Sequence, residues 1–76
     1  MSYLPLVTGD RVLRALLKAG FVIHHRKGSH VTLKHPSNPI SRIIIPVHSG
    51  KTLGKGLIGS ILKEANLSVE YFRKLL

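Results

Sequence analysis

The sequence predicts a small α+β domain: a three-stranded antiparallel sheet with two helices on one face and a short helix at the C-terminus. Three observations carry that expectation. Apolar residues recur at helical spacing over Val12, Leu13, Leu16 and Leu17, and again over Leu57, Ile58, Ile61, Leu62 and Ala65. Between these stretches, short runs alternate apolar and polar residues and are bounded by Gly and Pro. The 76 residues leave room for one domain, spanning 1–76.

Residues 1–7 read as an extended lead-in, because Pro5 disfavours helix in the residue before it. Thr8 is a helix N-cap candidate, and Asp10 falls in the first turn, where the helix dipole favours an anion. The first helix is expected over about residues 9–19, with Gly20 as its stop. Arg11, Arg14 and Lys18 share one face of it by their spacing. Strands are expected over residues 21–25 and 29–35. Phe21 and Ile23 alternate, as do Val31 and Leu33, and both sets face one core only if paired positions sum to an even number. A three-residue loop, Arg26-Lys27-Gly28, satisfies that rule by pairing His25 with Ser29. It sets Gly28 in the left-handed position at the loop's end. In this register His24 lies opposite His30 on the face away from the core, followed by Thr32 and Lys34.

The run His35-Pro36-Ser37-Asn38-Pro39 is a loop by composition. A third strand is expected over residues 42–47, with Pro46 marking an edge or a strand end. If Ile43 and Ile45 face the core, Ile44 projects to the open face, which hints at a protein contact, either with a partner or in a homodimer. Residues 49–56 are rich in glycine and lysine. The second helix runs from Leu57 to near Asn66, and Gly59 inside it costs about 1 kcal/mol against Ala. Ser68 caps a last helix over residues 69–75.

Charge narrows the function. Twelve Lys and Arg stand against three Asp and Glu, a net charge of +9. Such a surface favours an anionic partner: nucleic acid first, an acidic protein second, a membrane surface third. With no cysteine, disulfides and thiolate-held zinc are excluded. Asp10, Glu64 and Glu70 are the only acids and are scattered, which argues against a two-metal nuclease. No run approaches the length of a membrane helix, and the first residues lack the basic-then-apolar order of a signal peptide. A soluble, cytoplasmic protein without cofactor or metal is expected.

The tetrad Lys27-Gly28-Ser29-His30 carries the most information. A histidine on an open strand face can give or take a proton near neutral pH. Lys27 and Arg26 can hold a phosphate within its reach and stabilise a pentavalent phosphorane. RNA supplies its own nucleophile, the 2′-OH, so one histidine with nearby cations suffices to cleave it to a 2′,3′-cyclic phosphate. The ordinary alternative is a solvated hairpin tip.

From this tetrad outward the chain becomes recognisable. Gly20-Phe21, Lys27-Gly28-Ser29-His30, Pro46-Val47-His48, Gly50-Lys51, Leu57, Ile61-Leu62-Lys63 and Leu67-Ser68 follow one another in a pattern that resembles the HicA family, the small toxins of type II toxin–antitoxin modules. The resemblance covers residues 8–76. It implies a fold like that of double-stranded RNA-binding domains and the activity of an mRNA interferase, a metal-independent ribonuclease that shuts down translation. It also implies a HicB-type antitoxin that binds the toxin and masks its active site. The family's catalytic histidine falls on His30. Two positions depart from the pattern: Asn66 stands where the family usually has Gly, and His25 where a basic Arg is frequent. The first still suits a helix C-terminus. The second bears on substrate contacts and leaves the Gly-Ser-His element intact.

Three basic clusters fit RNA binding independently: Arg11, Arg14 and Lys18 on the first helix, Arg26 and Lys27 at the hairpin tip, and Lys51 and Lys55 before the second helix. A double-stranded RNA-binding domain uses those three places to span A-form backbone, whereas a solvated cationic surface is the bland reading of each. Ser29 shapes the turn. His48 can assist at the site or serve its loop, and the structural role is the more ordinary one. His24 can sit beside His30 or be a plain exposed strand residue. A zinc site from His24, His30 and His48 lacks a fourth ligand. Ser49-Gly50-Lys51-Thr52 is not a phosphate-binding loop of the Walker type, because Ile45 stands where that motif needs Gly. The rival function is a non-catalytic double-stranded RNA-binding module, in which His30 is incidental. An adaptor for acidic proteins is a second rival.

Overall fold

The computed structural model describes residues 3–76; Met1 and Ser2 of the lead-in, and the side chain of Pro39, lie outside the described residues. The elements follow the predicted order: α1 (Gly9–Lys18), β1 (Val22–Lys27), β2 (His30–His35), β3 (Asn38–Pro46), α2 (Lys55–Ala65) and α3 (Val69–Leu75). The strands form one antiparallel sheet in the order β1-β2-β3. This is the α+β architecture expected, and it agrees with the RNA-binding-like fold that the resemblance implies.

The helix ends are set by local chemistry. Thr8 Oγ1 accepts from the Arg11 N–H at 3.4 Å and opens α1, and Ser68 Oγ accepts from the Tyr71 N–H at 3.1 Å and opens α3. Both longer helices close the same way. Phe21 N–H reaches back to the Leu16 carbonyl and Gly20 N–H to Leu17; Leu67 N–H reaches Leu62 and Asn66 N–H reaches Lys63. These paired bonds satisfy the last carbonyls and need a left-handed residue just past each helix. Asn66, at φ 57°, fills that place for α2.

Alternation decides the core. Val31 and Leu33 of β2 and Ile43 and Ile45 of β3 are buried against Val12, Leu13, Ala15 and Leu16 of α1 and Ile58, Ile61 and Leu62 of α2. Their even-numbered neighbours turn to the other face, which no helix covers, and Ile44 is 53% exposed there. Phe72 of α3, a helix that packs on α1, joins the core and has no exposed surface.

Several boundaries and one register differ from expectation. The β1–β2 turn has two central residues, Gly28 and Ser29, so Lys27 pairs with His30. Gly28 adopts φ +58° and Ser29 does not, the pattern of a hairpin turn with glycine first. Paired positions therefore sum to an odd number at the tip. An irregularity between Ile23 and His25 absorbs one residue and restores the even sum at Ile23↔Leu33. The parity rule holds, but a bulge at His24 satisfies it in place of a longer loop. His24 is consequently not opposite His30. Ile23 shares the helix-side face with Leu33 yet is 49% exposed, because the helices pack chiefly on β3 and leave the β1 edge uncovered. The segment expected as a loop is tighter: Pro36 and Ser37 form the turn, and β3 begins at Asn38. Pro39 is tolerated because β3 is an edge strand. His35, read as a loop residue, ends β2 and packs edge-on against Phe21 at 4.9 Å between ring centres. Helix α2 starts two residues before Leu57.

Candidate active site at the hairpin end of the sheet

The open sheet face is built in rows across the strands. Lys27, His30 and Pro46 form the first row; His25, Thr32 and Ile44 form the next. His30 is exposed, and its ring borders a shallow depression lined by His25, Lys27, Gly28, Ser29, Thr32 and Ile44. The two-residue turn is what sets Lys27 directly across from His30 on the same face.

A second imidazole reaches this spot from another part of the chain. Beyond Pro46 the backbone N–H of Val47 donates to the Ser29 carbonyl at 2.6 Å, pinning the end of β3 to the hairpin tip. His48 follows. Its Nε2 lies 3.4 Å from Ser29 Oγ, and its ring centre is 6.5 Å from that of His30 at an interplanar angle of 81°. The loop beyond is held by backbone bonds, Lys51 N–H to the His48 carbonyl at 3.1 Å and Leu53 N–H to the Val7 carbonyl at 2.9 Å. Its bridge from Thr52 to Thr8 ties it to the start of α1.

The fold thus gathers Lys27, Ser29, His30 and His48 and leaves other candidates elsewhere. Arg26 falls in the Val31 row, on the helix side. His24 sits in the bulge of β1. On α1, Arg14 pairs with Asp10 at 2.7 Å, and Lys18 Nζ donates to the Leu75 carbonyl at 3.2 Å. Arg11, Arg14 and Lys18 border a cleft closed by Leu75 and Leu76, so this cluster faces α3 and not the open sheet. Lys51 and Lys55 are exposed on the loop from His48 and at the first residue of α2. Among the described residues no three metal-ligating side chains converge. His25, not His24, is the histidine that shares the depression with His30. The signal for this was present: Gly-Ser between two strand-like runs specifies a two-residue turn.

Two imidazoles and an ammonium on a solvent-open face can move protons and hold a phosphate; with no carboxylate lining the depression, nothing there repels an anion. A model of the family described as the HicA toxin of bacterial toxin–antitoxin systems matches residues 9–67, more than three quarters of the chain. The chain belongs to the HicA toxin family. No curated protein matches it. The HicA span runs from the first residue of α1 through the hairpin tip, His48 and α2, and stops short of α3. Among the described residues no helix is long and apolar enough to cross a membrane.

Proposed function

We propose that this HicA-family chain is an endoribonuclease that cleaves mRNA in the cytoplasm and is neutralised by a HicB-type antitoxin, with residues 1–76 acting as a single domain. The observation that carries the reading is the exposed His30 ring on the uncovered sheet face, directly across the ladder from Lys27. His30 exchanges a proton with the reacting ribose-phosphate, as base toward the 2′-OH or as acid toward the leaving 5′-oxygen. Lys27 steadies the charge that builds on the non-bridging oxygens. Lys51 and Lys55 extend the cationic surface to neighbouring phosphates, and Arg26, on the helix side of the hairpin tip, adds to the field together with Arg11, Arg14 and Lys18 of α1. The half-exposed Ile44, on the same face as His30, supports a protein partner that covers the site when the toxin is silent.

The test is an RNA-cleavage assay in EDTA with wild type and His30→Ala. Wild type should yield 2′,3′-cyclic phosphate and 5′-OH ends. The variant should lose about 10²–10⁴ in rate while its RNA affinity stays within a few fold. Equal cleavage by the variant removes His30 from the mechanism. RNA binding without cleavage by wild type makes the chain a non-catalytic RNA-binding module.

A further inference from the structure

The side chain of His48 has little to do in holding its loop. It is exposed, its one side-chain hydrogen bond among the described residues is the long 3.4 Å approach to Ser29 Oγ, and the loop is closed by the backbone bonds of Val47, Lys51 and Leu53. What is specific about it is its relation to His30: a second imidazole, 6.5 Å away between ring centres and almost perpendicular, delivered by the loop that follows β3.

We infer that His48 is the second proton-transfer group of the cleavage reaction, working opposite to His30. The inference rests on the ribonuclease reading above. In-line transphosphorylation requires a proton to leave O2′ on one side of the phosphorus and another to reach O5′ on the opposite side. One neutral imidazole takes the first while one imidazolium gives the second. The O2′–P bond forms, the P–O5′ bond breaks, and the two rings exchange protonation states, to be reset by water. Each ring needs a hydrogen bond of about 2.8 Å to its oxygen, so the two must flank the phosphate and not touch each other. A pair of rings 6.5 Å apart leaves that gap.

The other groups nearby fit the second role less well. Lys27 faces His30 across the ladder, where its charge serves to hold the phosphate, whereas exchanging a proton with each turnover suits an imidazole. Lys51, three residues along the loop from His48, is another ammonium. No carboxylate lines the depression. His25 lines it from β1, but its ladder partner is Thr32, one row from His30.

The test follows the pH dependence of cleavage from about pH 5 to 9 at saturating RNA, with wild type, His48→Asn and His25→Asn. Asparagine is polar and smaller than the imidazole but cannot shuttle a proton. Wild type should show a bell, with one acidic and one basic limb. His48→Asn should lower kcat about 10²–10³-fold, leave KM within a few fold, and abolish one limb. Added imidazole should rescue His48→Ala. Overturning results are a His48→Asn profile that keeps both limbs, whatever its rate, or loss of a limb in His25→Asn instead. A wild type that binds RNA without cleaving it overturns the ribonuclease reading and this inference together. A cleaving wild type whose His48→Asn variant keeps both limbs overturns the inference alone.

Discussion

The Val47 N–H donates to the Ser29 carbonyl oxygen at 2.6 Å, so the turn that presents His30 and the loop that begins at His48 are fastened at one point. Antiparallel pairs alternate between bonded and non-bonded, and with Val47 bonded to Ser29 the His30–Pro46 pair is a non-bonded one, so the missing N–H of Pro46 costs the ladder nothing. The Val47–Ser29 bond continues the same register one residue beyond Pro46, and His48 follows it directly. The distance between the two imidazoles is a consequence of this backbone arrangement.

Gly28 holds φ +58° with no atom within 4 Å of where a Cβ would stand. Alanine there meets no clash but must adopt a left-handed backbone, at a cost of about 1–2 kcal/mol. Gly28→Ala should lower the denaturant midpoint by that amount. If the turn relaxes instead of enduring the strain, Ser29 leaves the Val47 N–H and RNA cleavage should drop more than stability does. Parallel urea titrations and cleavage assays separate the two effects.

Gly9, the first residue of α1, is buried against the end of β3, and a Cβ there would collide with the Pro46 carbonyl oxygen. The obstacle is backbone, which cannot swing aside as a side chain can. Gly9→Ala should therefore cost about 1–3 kcal/mol, in the range of overpacked sites. Because the displaced strand end carries Val47 and His48, cleavage should fall even at temperatures where the variant is folded. Circular dichroism melts with activity measured below the transition check both parts.

Much of this was legible in the sequence. The helices, their Thr8 and Ser68 caps and the buried faces of β2 and β3 follow from spacing of 3.6 and 2 together with local hydrogen bonding. So does the exposure of His30 and Ile44, since even-numbered residues of both strands leave the core. The bulge at His24 was not legible, because parity can be met by a longer loop or by an inserted residue, and only long-range packing chooses between them. The exposure of Ile23 was hidden for a related reason: alternation names a face but not whether a helix reaches far enough to cover it. The approach of His48 to His30 depends on a bond between Val47 and Ser29, eighteen residues apart, and no local pattern reports it.

Salt dependence distinguishes the cations. Lys27 lies on the exposed face beside His30, whereas Lys18 donates to the Leu75 carbonyl and helps hold α3. Removing a lysine that contacts phosphate should reduce the slope of log K against log salt by about one. Lys27→Ala should show that reduction in RNA-binding isotherms taken at several salt concentrations. Lys18→Ala should change the slope by less and instead lower stability by about 0.5–1.5 kcal/mol.

Phe72 is the deepest test of whether α3, beyond the span matched to the HicA family, is an integral part of the fold. The side chain is wholly buried among residues of the main core, and the helix has only seven residues with which to hold it there. Replacing a buried Phe by Ala typically costs about 3–5 kcal/mol. A chain of this length has only about 4–11 kcal/mol of stability in total. Phe72→Ala should therefore be unfolded or nearly so at 37 °C, with a collapsed urea midpoint, and RNA should restore part of the loss by mass action. Tyr71→Ala, on the exposed side of the same helix, should stay within about 0.5 kcal/mol of wild type. If both variants melt alike, α3 is an appendage, and the core formed by the sheet with α1 and α2 is stable without it.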